Sequence, residues 1–313
     1  MAEGKPSILV VGSVNMDLAV RCPHMPAPGE TVLGKGLVIS PGGKGANQAV
    51  AAARLGGKCV FVGRVGQDAF GEQLLAGLKA EGVDCSHVLV TDEAPTGMAM
   101  IVVDAKGENA IVVAGGANQC LTPDDVFSCE DLFAAASVVL LQLELPLPPV
   151  RAAIDLARRH HCKVILDPAP AQPALDEALL CVDIICPNGL EADTITGQGQ
   201  ANEERAAKSM ASDLVARGAG AAVVTLGARG SVVVTADGHF YRVPAYKVSV
   251  VDTTAAGDAF AGALAVAVAR GEHIRQAARF ANAAGALACT KFGATSAMPT
   301  AAEVAALMRD QPT

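Results

Sequence analysis

Short aliphatic runs alternate, along most of this chain, with longer segments of helical periodicity. The runs at 7–12, 58–62, 138–141, 163–166, 184–185 and 221–225 are apolar at nearly every position. Strands of that kind are buried on both faces, as in a parallel sheet covered by helices. The segments at 46–55, 70–81, 148–160 and 201–217 are amphipathic or Ala-rich. Such alternation restricts the chain to βαβ units, so the expected class is α/β with a central, mostly parallel sheet and helices on both faces. After residue 225 the pattern changes. Segments 231–235 and 239–243 flank Ala236-Asp237-Gly238, which reads as a hairpin with Asp-Gly at its turn, and 257–269, 274–289 and 301–308 read as helices.

A second set of strands, near 15–22, 36–40, 98–104 and 109–113, does not fit the parallel sheet. Ala105-Lys106-Gly107-Glu108 has the look of a hairpin loop. Strands inserted between βα units form a small separate sheet, which is either a decorated edge or a lid that excludes water from a reacting centre. No linker, repeat or low-complexity run divides the chain, so residues 1–313 are read as one domain carrying that insertion.

Composition removes several function classes. The 24 basic and 32 acidic side chains leave a net charge of −8, with no long Lys/Arg run, which argues against nucleic acid as a partner. Two Tyr, eight Phe and no Trp supply few platforms for stacked bases. No apolar stretch reaches the ~20 residues of a membrane span. Residues 1–7 carry no basic-then-apolar leader, so no signal peptide is expected. The nine Cys are odd in number and scattered without a C-x-x-C, which fits reduced thiols in the cytoplasm better than disulfides or zinc.

Three segments carry candidate chemistry. Pro41-Gly42-Gly43-Lys44-Gly45-Ala46-Asn47-Gln48 is a glycine-rich turn that opens onto an Ala-rich helix, where backbone N–H groups can approach a ligand. A Walker loop requires Ser or Thr after its Lys, and Gly45 stands there instead. A dinucleotide fingerprint requires G-x-G-x-x-G after the first strand, and the sequence there is Gly12-Ser13-Val14-Asn15. In an extended segment Asn15 and Asp17 point to one side and suit vicinal hydroxyls; a plain turn cap fits them equally well. Glu144 sits past the strand 138–141, at its carboxyl end. Finally, Asp252-Thr253-Thr254-Ala255-Ala256-Gly257-Asp258 leaves backbone N–H groups uncovered at a helix start, beside a carboxylate. Phosphoryl transfer uses such parts, although an Asp at a helix N-terminus is also a common cap.

Together, the 42–49 loop and the 252–263 segment resemble the two signatures of the PfkB-type (ribokinase) carbohydrate kinase family. Further matching stretches are Gly12 to Asp17, Pro28-Gly29-Glu30-Thr31, Gln142-Leu143-Glu144 and Pro168-Ala169-Pro170-Ala171. The resemblance runs in order from residue 7 to residue 299. It implies a ribokinase-like fold with a small β-sheet lid, and ATP- and Mg²⁺-dependent phosphorylation of D-ribose at its 5-hydroxyl. Asp258 would be the base, and the backbone of Ala255, Ala256 and Gly257 the anion hole. The sugar site would involve Asn15, Met16, Asp17, Gly43, Lys44, Gly45, Ala46, Asn47 and Glu144. ATP would lie along Thr225, Leu226, Gly227, Ala228, Arg229 and Gly230, near Asn188 and Asn282, and would reach Gly257 and Asp258.

The same resemblance associates Glu191 with Mg²⁺ through the N-x-x-E pattern, although Gly189 stands where Glu is more usual. Asp167 stands where Asn often precedes the Pro-Ala-Pro-Ala run. An activating K⁺ would use Asp252, Thr254, the carbonyls of Ala288, Lys291 and Gly293, and the position of Ala297, where a Ser hydroxyl is often found. The family's lid also serves as a dimer interface, so a homodimer is implied. Kinases of other furanoses or of nucleosides, and a sugar-binding protein without catalysis, remain as alternatives.

Overall fold

The structure, a computed structural model, describes residues 7–173, 175–199 and 204–312. Its strands are β1 (Ser7–Val11), β2 (Asn15–Arg21), β3 (Lys35–Gly42), β4 (Lys58–Gly66), β5 (Asp84–Thr91), β6 (Gly97–Val103), β7 (Asn109–Ala114), β8 (Val138–Leu141), β9 (Lys163–Leu166), β10 (Ile184–Ile185), β11 (Ala221–Thr225), β12 (Ser231–Thr235) and β13 (Phe240–Val243). Nine of them form one sheet in the order β13-β12-β11-β10-β9-β8-β1-β4-β5. Neighbours from β11 through to β5 are parallel, whereas β12 and β13 add an antiparallel edge. The remaining strands make a separate sheet in the order β3-β2-β6-β7. Both expectations, a large mostly parallel sheet and a small second one, hold.

Burial explains the layering. In β1, Ile8 and Val10 face a core shared with helices Lys44–Arg54, Ala256–Ala269 and Ile274–Ala288, while Leu9 and Val11 face helices Leu147–Arg159 and Glu204–Ala216 on the other side. Period-2 alternation within fully apolar strands sends one set of side chains into each layer. The helix expected over 201–217 begins among residues outside those described, and its described part is Glu204–Ala216.

The chain leaves β1 towards β4 and β5 and later returns to β8 on the opposite flank of β1. That makes β1/β8 the topological switch point, where an open α/β sheet presents its crevice beyond the carboxyl ends of the strands. Residues following β1, β8, β9, β10 and β11 therefore converge there. The small sheet is rooted at the same place, because β2 begins at Asn15 and β3 ends at Gly42 directly opposite it.

Among the described residues no helix is long and apolar enough to cross a membrane.

Candidate active site

The loop after β1 and the glycine-rich turn before helix Lys44–Arg54 pack against each other. Gly43 adopts φ +89°, a conformation that other residues reach only with strain, and so aims the first turn of the helix at the β1 loop. Ala46 N–H donates to Ser13 O at 2.9 Å. Glu144, arriving from β8, accepts from Ser13 Oγ and, at 3.0 Å, from the Lys44 N–H. Asp17 lies across from this group. Its carboxylate takes no hydrogen bond among the described residues. Burial, then the charges of Glu144 and Asp258, push it up to about 7.

Asp258 occupies the first turn of helix Ala256–Ala269 and is 5% exposed. Asn47 Nδ2 donates to its Oδ2 at 3.0 Å and Gln48 Nε2 to its Oδ1 at 3.1 Å. Burial raises this carboxyl above the usual range and Glu144 adds to the rise, while Lys44 and the two amides pull it back. Burial alone would lower Lys44, yet Asp258, Asp167, Glu144 and Glu191 carry it above the ordinary lysine value. The site is thus one ammonium set among carboxylates, with the buried Asp258 carboxylate held by neutral donors.

Beside Asp258 the chain turns through Ala255 in the left-handed region, with φ 57°. Ala256 N–H reaches Thr253 O at 3.3 Å, and Ala259 N–H bonds Ala255 O. Among the described residues no acceptor takes the N–H of Ala255, Gly257 or Asp258. A Cβ built on Gly257 would meet nothing within 4 Å, so the space over that backbone is open. Free N–H groups at the positive end of a helix, facing open space, favour an anion.

The residues expected to meet a nucleotide also come together. Asn188 and Thr225 form a bridge between the ends of β10 and β11. Asn188 and Glu191 cap helix Gly189–Thr196 reciprocally, with Glu191 Oε2 accepting from Asn188 N–H at 2.8 Å and Asn188 Oδ1 from Glu191 N–H at 2.9 Å. Leu226 through Gly230 close a tight turn, in which Leu226 N–H donates to Gly230 O at 2.7 Å. Asn282 is buried and donates to the carbonyls of Val243 and Pro244, both at 3.1 Å, which seats it against the strand end that Gly230 also touches.

At the expected cation site, Asp252 Oδ1 accepts from the N–H and hydroxyl of Thr254 at 2.9 and 2.6 Å, and Oδ2 accepts from Gly293 N–H at 3.0 Å. These bonds hold Asp252 below the usual carboxylate range against the opposing effect of burial. They also draw the 288–297 loop onto the carboxylate. Lys291 Nζ pairs with Glu303 at 2.8 Å, leaving only its carbonyl for another role. Among the described residues no cluster of three or more His, Cys, Asp or Glu side chains is suited to a metal ion.

Two residues expected at the sugar site turn their side chains into the core. Met16 is fully buried in the core, since strand alternation turns it away from the side shared by Asn15 and Asp17. Ala46 likewise packs into the core, leaving only backbone groups to either residue. Other residues were missed. Gln48 joins Asp258 to Asp167, Thr295 Oγ1 donates to Asn47 Oδ1 at 2.9 Å, and Asn118 Nδ2 donates to Asn15 Oδ1 at 2.7 Å. Gln48 stands inside the glycine-rich motif and was within reach of sequence reasoning; Thr295 and Asn118 carry no local signal.

This arrangement, a buried carboxylate beside an open helix N-terminus at a switch-point crevice, has the parts of a small-molecule phosphotransferase. Residues 5–301 match the pfkB family carbohydrate kinase domain, and the chain belongs to that family. It is 41% identical over 299 residues to a ribokinase of Haemophilus influenzae, covering 96% of this chain and 97% of that protein. A deoxyribokinase of Salmonella typhi is 34% identical over 294 residues, covering 94% of this chain and 95% of that protein. The structure of Arabidopsis thaliana ribokinase complexed with ribose and ATP matches with a TM-score of 0.90 at 32% identity, over 98% of this chain and 99% of that one.

Proposed function

We propose that this carbohydrate kinase is a ribokinase, transferring the γ-phosphoryl group of ATP to the 5-hydroxyl of D-ribose. The observation that carries the reading is Asp258, held by Asn47 and Gln48 and buried at a helix start where the N–H groups of Ala255, Gly257 and Asp258 find no acceptor among the described residues. In the reaction Asp258 takes the proton of the 5-hydroxyl as that oxygen attacks the γ-phosphorus. The bond from phosphorus to the β–γ bridging oxygen breaks, and ADP leaves with that oxygen. The backbone at Ala255, Ala256 and Gly257 and the Lys44 ammonium stabilise charge on the moving group. Asn15, Asp17, Lys44, Asn47 and Glu144 orient the sugar, with contributions from the backbone of Gly43 and Gly45. The free carboxylate of Asp17 suits a pair of hydroxyl donors. ATP lies along residues 225–230, beside Asn188 and Asn282.

Mg²⁺, when bound, neutralises phosphate charge. Glu191, with one carboxylate oxygen left over from its cap, fits an ion that arrives with the nucleotide. A monovalent cation such as K⁺ fits the Asp252 carboxylate and the carbonyls of Ala288, Lys291 and Gly293, with Ala297 supplying no hydroxyl. The small sheet acts as a lid and, in our reading, as the interface of a homodimer. Leu37, Val38 and Ile39 of β3, Met100 of β6 and Ile111, Val112 and Val113 of β7 are all exposed, and a second copy would cover them. A cytoplasmic location agrees with nine free cysteines.

The similarity to a deoxyribokinase supports one second reading, with 2-deoxyribose as the substrate. ADP release measured over ribose, 2-deoxyribose, hexoses and nucleosides tests both. Ribose is expected to give the highest kcat/KM, and release independent of any sugar would end the kinase reading.

A further inference from the structure

Asn118 lies in the tight turn Gly116–Cys120 that follows β7, and it is 1% exposed. Its Oδ1 accepts from Val14 N–H at 3.0 Å, and its Nδ2 donates to Val14 O at 3.1 Å and to Asn15 Oδ1 at 2.7 Å. Flipping this amide would set carbonyl against carbonyl at Val14 and Asn15 and N–H against N–H at Val14, so only one orientation satisfies it. The orientation propagates. Because Asn15 must turn its carbonyl oxygen towards Asn118, its own NH₂ points away from Asn118. Among the described residues nothing accepts from that NH₂. Gly97, which pairs with Asn15 across β2 and β6, leaves the passage open, since a Cβ there would lie 2.3 Å from both Asn118 Nδ2 and Asn15 Oδ1.

We propose that Asn118, which itself does not reach the pocket, is a positioning residue for sugar recognition. It acts through Asn15, compelling that amide to offer hydrogen-bond donors rather than its carbonyl, so that the pocket reads a hydroxyl oxygen there as an acceptor. This rests on the sugar-kinase reading above. A residue that only braced the turn would affect stability without caring what stands at position 15.

The test is a double-mutant cycle read by ribose affinity in calorimetry and by kcat. Asn118→Ala is expected to raise the ribose Kd about 5- to 30-fold, the usual range for one oriented buried hydrogen bond, while kcat changes less than about threefold. In an Asn15→Ala background the same change should alter Kd less than about twofold. Equal effects in the two backgrounds, or an unchanged Kd in the single variant, would overturn the proposal. Should Asn118→Ala fail to fold, Asn118→Ser, which keeps a small hydrogen-bonding group, enters the same cycle with the same criteria. Wild-type enzyme that neither binds ribose nor releases ADP with it would overturn the ribose reading instead, so the two failures are distinguishable.

Discussion

Asp167 and Asp258, two buried carboxylates, share a single donor: Gln48 Nε2 lies 2.7 Å from Asp167 Oδ2 and 3.1 Å from Asp258 Oδ1. Gln142 Nε2 donates to Gln48 Oε1 at 2.6 Å and so fixes which end of the Gln48 amide faces the acids. Donation from Gln48 lowers the proton affinity of Asp258, against burial and Glu144. Gln48→Met removes that donation and should move the acid limb of kcat/KM to higher pH. Stability should fall by about 1–3 kcal/mol for the acceptors left unpaired. An unmoved acid limb would show that the amide does not tune the base.

Asp258 itself has the sharper expectation. Asp258→Asn should cut kcat by about 10²–10⁴, the range for loss of a general base, while ribose affinity changes far less. Single-turnover rates measured beside calorimetric Kd values separate the two. Retention of half the wild-type rate would remove Asp258 from the chemistry.

Asp17 titrates near neutrality, at about 7. On the proposed reading, in which the ionised carboxylate accepts two sugar hydroxyls, ribose affinity should fall by about tenfold for each pH unit below that value. The effect on folding has the opposite sense. The folded chain holds this proton to a higher pH than the unfolded chain, whose Asp titrates at about 3.9, so stability is greatest below that value and declines as pH rises to about 7. Asp17→Asn should flatten both dependences. Parallel Tm and Kd measurements from pH 4 to pH 8 check the two signs together.

The cation reading predicts activation by K⁺ with weak affinity, because Ala297 offers no hydroxyl to the shell. Ala297→Ser should lower the KCl concentration needed for half-activation. The titration is run against a bulky organic cation at constant ionic strength, in enzyme stripped of K⁺ and Na⁺. A flat response in both proteins would show that no such site operates.

For the lid, Val112 is 63% exposed in the middle of β7. A charge placed there, Val112→Asp, should convert the proposed dimer to monomer in sedimentation velocity. Wild-type enzyme that is monomeric at all concentrations would end the interface reading.

The main sheet was readable because its central strands are apolar on both faces and alternate with helical segments, a pattern expected of a covered parallel sheet. Strand β5 escaped because it is an edge strand, alternating exposed Asp84 and Ser86 with buried Cys85. The helices Pro123–Phe127, Glu130–Ala135 and Glu177–Leu180 are too short to establish a period. In the site, Lys44, Asn47 and Asp258 could be named because each stands in a compact local motif. The bonds that orient these groups span 210 residues from Gln48 to Asp258, 103 from Asn118 to Asn15 and 248 from Thr295 to Asn47. Contacts at such separation exist only after the strands have brought their ends to one crevice, and no window along the sequence contains them.

Gly42 lies against Asp17 so closely that a Cβ there would stand 2.2 and 2.3 Å from the two carboxylate oxygens. Any side chain at 42 therefore begins where Asp17 already ends. For descent from this sequence, the two positions are therefore coupled. A side chain at 42 must displace the Asp17 carboxylate from its present place, whereas loss of Asp17 opens the position and makes a later return to Asp costly once 42 has filled. A laboratory search that samples position 42 alone meets a displaced Asp17 carboxylate in each variant and so reads two changes as one. Libraries that vary 17 and 42 together are the ones in which a new sugar preference can arise.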